Sequence, residues 1–178
     1  MIRFFDFLFS LLGLLIFLPI IILLLFIGIF ENSSPIFKQV RVGNNQKLFF
    51  LYKFRTMKKE TKSKATHLID HSTISPYGNF LRKNKLDEIP QLLNVILGDM
   101  SFVGPRPCLT NQKKLITERK KRGVFKVKPG ITGLAQVSGI TMKKPKLLAK
   151  IDSKMIKKLN LYNYFYYIFK TLEVIIKP

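Results

Sequence analysis

The sequence predicts an α+β protein: a proline-broken, re-entrant membrane helix at the amino terminus, then a small, mostly helical domain with a short β-hairpin. Three observations predict it. Residues 7–30 run for 24 positions without a charge. Two short apolar runs flank Gly43-Asn44-Asn45, the pattern of two strands around a turn. Further along, apolar residues recur at helical spacing between proline and glycine punctuation. At 178 residues the chain has room for one compact domain plus an anchor, divided as residues 1–35 and 36–178.

The run from Phe7 to Phe30 would form a helix about 36 Å long, enough to cross a hydrocarbon core of about 30 Å. It is too long for the apolar core of a cleavable signal peptide, and ENSSPIF after it lacks a small-x-small cleavage pattern. Pro19 removes a backbone donor in mid-run and predicts a kink. Gly13 and Gly28 loosen the helix further. Both flanks are basic: the amino terminus and Arg3 before the run, Lys38, Arg41, Lys47 and Lys53 after it. A helix that breaks and returns keeps both flanks on one side; a plain single span with a tolerated kink is the alternative. Either way the basic bulk is expected at the cytoplasmic face of the inner (plasma) membrane.

Glu31 to Pro35 is a polar exit and turn. IFKQVRVG and KLFFLYKFRTM then supply the two strands. Lys58 to Ser75 is polar and reads as a loop. Phe80 to Lys85 predicts a short helix. Pro90 to Leu97 predicts another, with Pro90 suited to a first turn and Gly98 to a stop. Gly104-Pro105-Arg106-Pro107 is a stiff loop, Asn111 to Arg122 a charged helix, and Lys128 to Gly133 a turn. The segment from Asp152 to Ile176 interleaves aromatics with lysines, a pattern that suits both a helix at a membrane interface and ordinary core packing.

Thirty-one Lys and Arg against 10 Asp and Glu give a net charge of +21. Such a surface attracts phosphates, nucleic acid or an anionic leaflet. One cysteine, Cys108, excludes an internal disulfide framework; no histidine lies near it in sequence, and it reads as packing. Neither GxGxxG nor GxxxxGK[ST] occurs, which sets aside dinucleotide enzymes and P-loop kinases. His67 and His71 would share a helix face, yet THLIDHS reads as loop and no Cys or Glu beside it completes a zinc set.

Acids are scarce, so the adjacent pair Asp87-Glu88 stands out. Two neighbouring carboxylates beside Arg82, Lys83 and Lys85 can divide labour, one attacking phosphorus or carbon while the other holds a divalent cation. The plain alternative is charge compensation at a helix start. Arg106 sits between two prolines, which hold its backbone and suit it to clamp a diphosphate; a salt bridge to an acid such as Asp99 is the structural alternative. Arg55, after the second strand, fits either role.

Read in order, YKFRTM (52–57), LRKNKLDEIPQLLNVILGDMSFVGPRP (81–107) and VKPGITGLAQVSG (127–139) closely resemble the motifs of the bacterial sugar transferase family. These are small monotopic phosphoglycosyl transferases that open polysaccharide and glycoconjugate assembly. The resemblance covers nearly the whole chain, including RFFD at the start, the proline-broken anchor and Asp152. It implies a re-entrant helix breaking at Pro19. It implies that Asp87 attacks the sugar-bearing phosphate of a UDP-sugar, releasing UMP, and that undecaprenyl phosphate takes the phosphosugar from the aspartate. Glu88 would work with Mg²⁺, and Arg82 and Arg106 would lie near the phosphates. Lys53, Arg55 and Gln136, on the same motifs, join them as expected substrate-binding residues.

The chain departs from the family pattern in places. Leu18 stands where a Ser usually precedes the proline. Thr73-Ile74-Ser75 replaces an Arg-x-Thr, Ile140-Thr141 replaces an Arg-Asn, and the usual Trp is missing from MKKPK (142–146). These changes fall where sugar or uridine contacts are expected. The contrasting class is a membrane-tethered binder of nucleic acid or anionic lipid, driven by charge alone. Dispersed Lys and Arg without a recognised motif argue against nucleic acid. The expected partners are a UDP-sugar, undecaprenyl phosphate and an anionic membrane surface. The sequence assigns no oligomeric state.

Overall fold

Helix α1 (Ile2–Asn32) carries Pro19 in its interior without interruption. It belongs to a computed structural model that describes residues 1–32, 34–57 and 74–176. The expected loop at 58–75 and the His67–His71 pair therefore fall almost entirely outside the described residues. A proline forfeits one backbone hydrogen bond and can kink a helix without ending it, so the helix continues where the sequence predicts a break. Ile2–Glu31 is long and apolar enough to cross a membrane.

Both halves of α1 pack against the rest of the chain. In the first half, the buried Asp6 carboxylate Oδ1 accepts hydrogen bonds from Ser101 Oγ (2.9 Å), the Phe102 amide (3.0 Å) and Tyr164 Oη (2.8 Å). Phe5 and Phe9 meet Phe165 edge-on. In the second half, Leu24 is buried with Phe54 and Leu81, and Tyr77 Oη donates to its carbonyl at 2.8 Å. Between the halves, every residue from 15 to 20 is exposed. Six consecutive exposed positions exceed one helical turn of 3.6 residues, so the helix is bare on all sides around Pro19. The ends are held; the middle stands clear.

Strands β1 (Ile36–Val42) and β2 (Leu48–Phe54) form the expected antiparallel hairpin, pairing Val40 with Phe50. A 3₁₀ turn, Asn44–Gln46, joins them with left-handed backbone at Asn45 (φ 49°). Helix α2 (Pro76–Lys83) starts earlier than the sequence suggests, because Ser75 caps it by accepting from the Gly78 amide at 2.9 Å. A 3₁₀ turn, Leu86–Glu88, follows, then helix α3 (Gln91–Leu97), which Gly98 terminates at φ 90°. The Arg3 guanidinium of α1 donates to the Val95 and Ile96 carbonyls at this end, where a cation complements the helix dipole.

Strand β3 (Ser101–Val103) runs parallel to β4 (Gly130–Thr132), where the sequence suggests only a turn. Strands of three residues are too short to show alternation, which is why the second sheet is invisible in the sequence. Helix α4 (Lys113–Lys121) lies between them in the chain, and the short α5 (Leu134–Val137) follows β4. The carboxy-terminal segment forms two helices, α6 (Pro145–Lys157) and α7 (Leu161–Ile176), rather than one run from Asp152. Cys108 is fully buried among Val42, Leu115 and Leu148, a packing residue as expected.

Candidate active site

Four segments meet at the carboxylate pair. Lys85 takes left-handed backbone (φ 57°), which closes α2 and opens the 3₁₀ turn carrying Asp87 and Glu88. Leu86 and Ile89, on either side of the pair, pack into the cluster formed by Leu24, Phe54 and Leu81. The pair is thus seated against the second half of α1. From β2 comes Lys53, and from the loop after β3 comes Arg106.

The two carboxylates are treated differently. Glu88 Oε1 accepts from Lys53 Nζ at 2.6 Å and from Arg106 Nη2 at 2.7 Å. Among the described residues Asp87 has no such close pair; its Oδ2 lies 3.6 Å from Lys53 Nζ. Burial opposes ionisation of both. At Glu88, Arg106 and Lys53 overcome it and hold the carboxyl well below the usual carboxylate range. At Asp87 burial outweighs Lys53, Arg82 and Arg106, and the Glu88 charge adds to it, so the pKa is raised. Glu88 is the carboxylate held ionised between two cations. Asp87 is the more basic carboxylate, without a tight partner among the described residues, the state that suits a nucleophile.

The remaining expected residues divide. Arg82 Nε donates to Thr56 Oγ1 at 2.9 Å; burial lowers its pKa and the charge of Asp87 opposes that shift. Arg106 pairs with Glu88, not with Asp99. Arg55 contacts neither carboxylate: its Nε donates to the Ser34 carbonyl at 2.9 Å, and its guanidinium lies 5.4 Å from the Phe37 ring centre. The structure thus places Arg55 at the exit of α1, since β2 ends there and its side chain meets the polar turn. Gln136 Nε2 donates to the Gly104 carbonyl at 3.3 Å, while its Oε1 is buried without a partner among the described residues. Gln136 therefore lies behind the Arg106 loop.

Two arginines escaped the sequence reading. Arg41 of β1 donates to the Pro107 carbonyl at 3.0 Å, and burial together with Arg106 lowers its pKa to about 10. Arg119 of α4 donates to the Arg106 carbonyl at 2.8 Å and pairs with Asp152. No spacing signal marks either one, because both act on carbonyls distant in the chain.

Among the described residues no group of three or more His, Cys, Asp or Glu is placed to hold a metal. Mg²⁺ commonly takes one or two protein carboxylates and completes its shell with substrate phosphates and water. Asp87-Glu88 fits that donor set, with Glu88 the ionised member.

A helix long and apolar enough to cross a membrane, packed at both ends, is thus seated against a carboxylate pair held among cations. The chain belongs to the bacterial sugar transferase family, matched over residues 1–178. It is 52% identical over 108 residues to the uncharacterized sugar transferase EpsL of Bacillus subtilis, covering 60% of this chain and 53% of that protein. It is 33% identical over 192 residues to undecaprenyl-phosphate galactose phosphotransferase of Salmonella typhimurium (98% of this chain, 40% of that one). It is 41% identical over 129 residues to UDP-glucose:undecaprenyl-phosphate glucose-1-phosphate transferase of Xanthomonas campestris (66% and 26%). The chain thus spans about half or less of the length of these relatives.

Proposed function

We propose that this protein transfers a sugar phosphate from a UDP-sugar to undecaprenyl phosphate at the cytoplasmic face of the inner membrane, opening a polysaccharide or glycoconjugate pathway. The observation that carries the reading is the asymmetry of the pair: Glu88 held by two cations, Asp87 buried, more basic and, among the described residues, no nearer than 3.6 Å to a cation. The names of the Salmonella and Xanthomonas relatives support the acceptor, and the second of them supports the donor class.

Asp87 attacks the sugar-bearing phosphorus. The bond from that phosphorus to the bridging oxygen breaks, UMP leaves, and the aspartate carries the phosphosugar. A phosphate oxygen of undecaprenyl phosphate then attacks the same phosphorus, displacing the carboxylate and forming a polyprenyl-diphosphate-sugar. Lys53, Arg82 and Arg106 supply fixed positive charge to the phosphates, so little reorganisation is needed as charge moves onto the leaving group. Glu88 would hold Mg²⁺, which when bound supplies further charge neutralisation to the diphosphate. In this reading residues 1–35 are a re-entrant anchor whose bare centre around Pro19 sits in lipid, and residues 36–178 are the catalytic domain. A pair seated against the anchor lets a polyprenyl phosphate react without leaving the bilayer.

The test is a UMP-release screen across UDP-sugars with undecaprenyl phosphate. Asp87→Asn is expected to abolish release and Arg106→Ala to weaken it. Undiminished turnover in the Asn variant would reject the nucleophile, as would failure to trap the added phosphosugar mass on competent enzyme.

A further inference from the structure

We propose that the buried Asp152–Arg119 pair is a positioning device that sets Arg106 on Glu88. The inference rests on the proposed role of the Asp87-Glu88 site and extends it to residues that touch neither carboxylate. Arg119 and Asp152 are 2% and 1% exposed in their side chains. Arg119 Nε donates to Asp152 Oδ2 at 3.0 Å, and Nη2 lies 2.7 Å from the same oxygen. The other arm of the fork, Nη1, donates to the Arg106 carbonyl at 2.8 Å. The same residue's guanidinium reaches Glu88 at 2.7 Å. Three links therefore connect α6 to the site: Asp152 to Arg119, Arg119 to the Arg106 backbone, and the Arg106 side chain to Glu88.

The loop's chemistry explains the need. Pro105 and Pro107 carry no N–H, so the Arg106 loop has few donors of its own, and its carbonyls draw on donors from elsewhere. Arg119 serves the Arg106 carbonyl as Arg41 serves that of Pro107. Stability does not account for the pair, because a buried ion pair can often be replaced by apolar residues at no cost. Fork geometry does account for it. A guanidinium can hold a carboxylate with one edge and a carbonyl with another; an ammonium has a single nitrogen and cannot span both.

The experiment measures UMP release by the full-length, membrane-reconstituted protein carrying Asp152→Asn or Arg119→Lys, each in the native and the Arg106→Ala background. Thermal unfolding is followed on every variant. A displacement of about 1 Å at a positioning contact costs on the order of 100-fold in rate, and that loss is expected in the native background. In the Arg106→Ala background the further loss is expected to stay within about threefold, because the contact being positioned is already gone. Equal losses in both backgrounds would show a merely structural pair and overturn the inference. Should the single variants fail to fold, the paired replacement Arg119→Met with Asp152→Leu keeps the buried volume. It is expected to melt near the native temperature and still lose turnover; native turnover in it overturns the inference. If Arg106→Ala itself releases UMP at the native rate, the reading of the site falls first and this one with it.

Discussion

Replacing Lys53 by Met removes the cation closest to Asp87 while keeping most of the apolar stem in place. Lys53 Nζ lies 3.6 Å from Asp87 Oδ2, and both side chains are less than a fifth exposed. At that separation, with an effective dielectric constant of about 20, the attraction is roughly 4–5 kcal/mol as an upper bound. Arg82 and Arg106 remain, and water entering the vacated space screens part of the loss. A third to a half of the bound, about 1.3–2.5 kcal/mol, is the net loss of stabilisation expected for the ionised carboxylate. The sign is definite. Burial already raises the Asp87 pKa and Lys53 pulls it down, so its removal raises the pKa further. A smaller fraction of Asp87 is then ionised at any given pH, and activity that needs the carboxylate must shift to higher pH. The assay is single-turnover UMP release from a UDP-sugar without acceptor, which keeps the acceptor's phosphate out of the titration. The acidic limb is expected to move to higher pH in Lys53→Met, and by much less in Lys53→Arg, which keeps the charge. An unmoved limb with a lowered plateau would refute the electrostatic argument, leaving Lys53 as a positioning group for Glu88 only.

Other perturbations probe the scaffold. Asp6→Ala strands three donors, Ser101 Oγ, the Phe102 amide and Tyr164 Oη, and is expected to cost about 3 kcal/mol in denaturant unfolding of the solubilised protein. Gly130→Ala places a Cβ 2.0 Å from the Gly104 nitrogen, so the β3–β4 pairing must part; turnover should fall more steeply than helical circular dichroism, since the Arg106 loop begins there. A cysteine introduced at Met1 is expected to resist an impermeant thiol reagent in intact cells, because a re-entrant α1 keeps both ends inside; efficient labelling would mean that the helix spans.

Much of the site was legible before any fold was known. Asp87-Glu88 stood out because acids are rare in a chain of +21, and the Pro105-Arg106-Pro107 loop announced a stiffly held guanidinium. Lys53 was expected from its motif only to bind substrate, and the fold sets it against the pair. Arg55, two residues further along and just past the end of β2, was grouped with it, yet its side chain turns to Ser34 and the Phe37 ring. Nothing in the linear order separates the two. What divides them is which side of the strand end each occupies once α1 and α3 have packed.

By itself the sequence determined the elements whose cause is local: the uncharged run that makes α1, the hairpin around its glycine-asparagine turn, and the proline and glycine that bound α3. It also determined the family, through three motifs in order. Tertiary structure alone decided that Lys53 and Arg106, 35 and 18 residues from Glu88, close on one oxygen of it. It alone decided that Asp152 reaches the site through Arg119, and that the two halves of α1 dock while its middle stays bare. The physical reason is the range of the forces. Propensity and periodicity act between near neighbours and leave a mark on the chain. An ion pair or a backbone-to-guanidinium bond acts across a few ångströms of space, and such distances exist only after the core has packed.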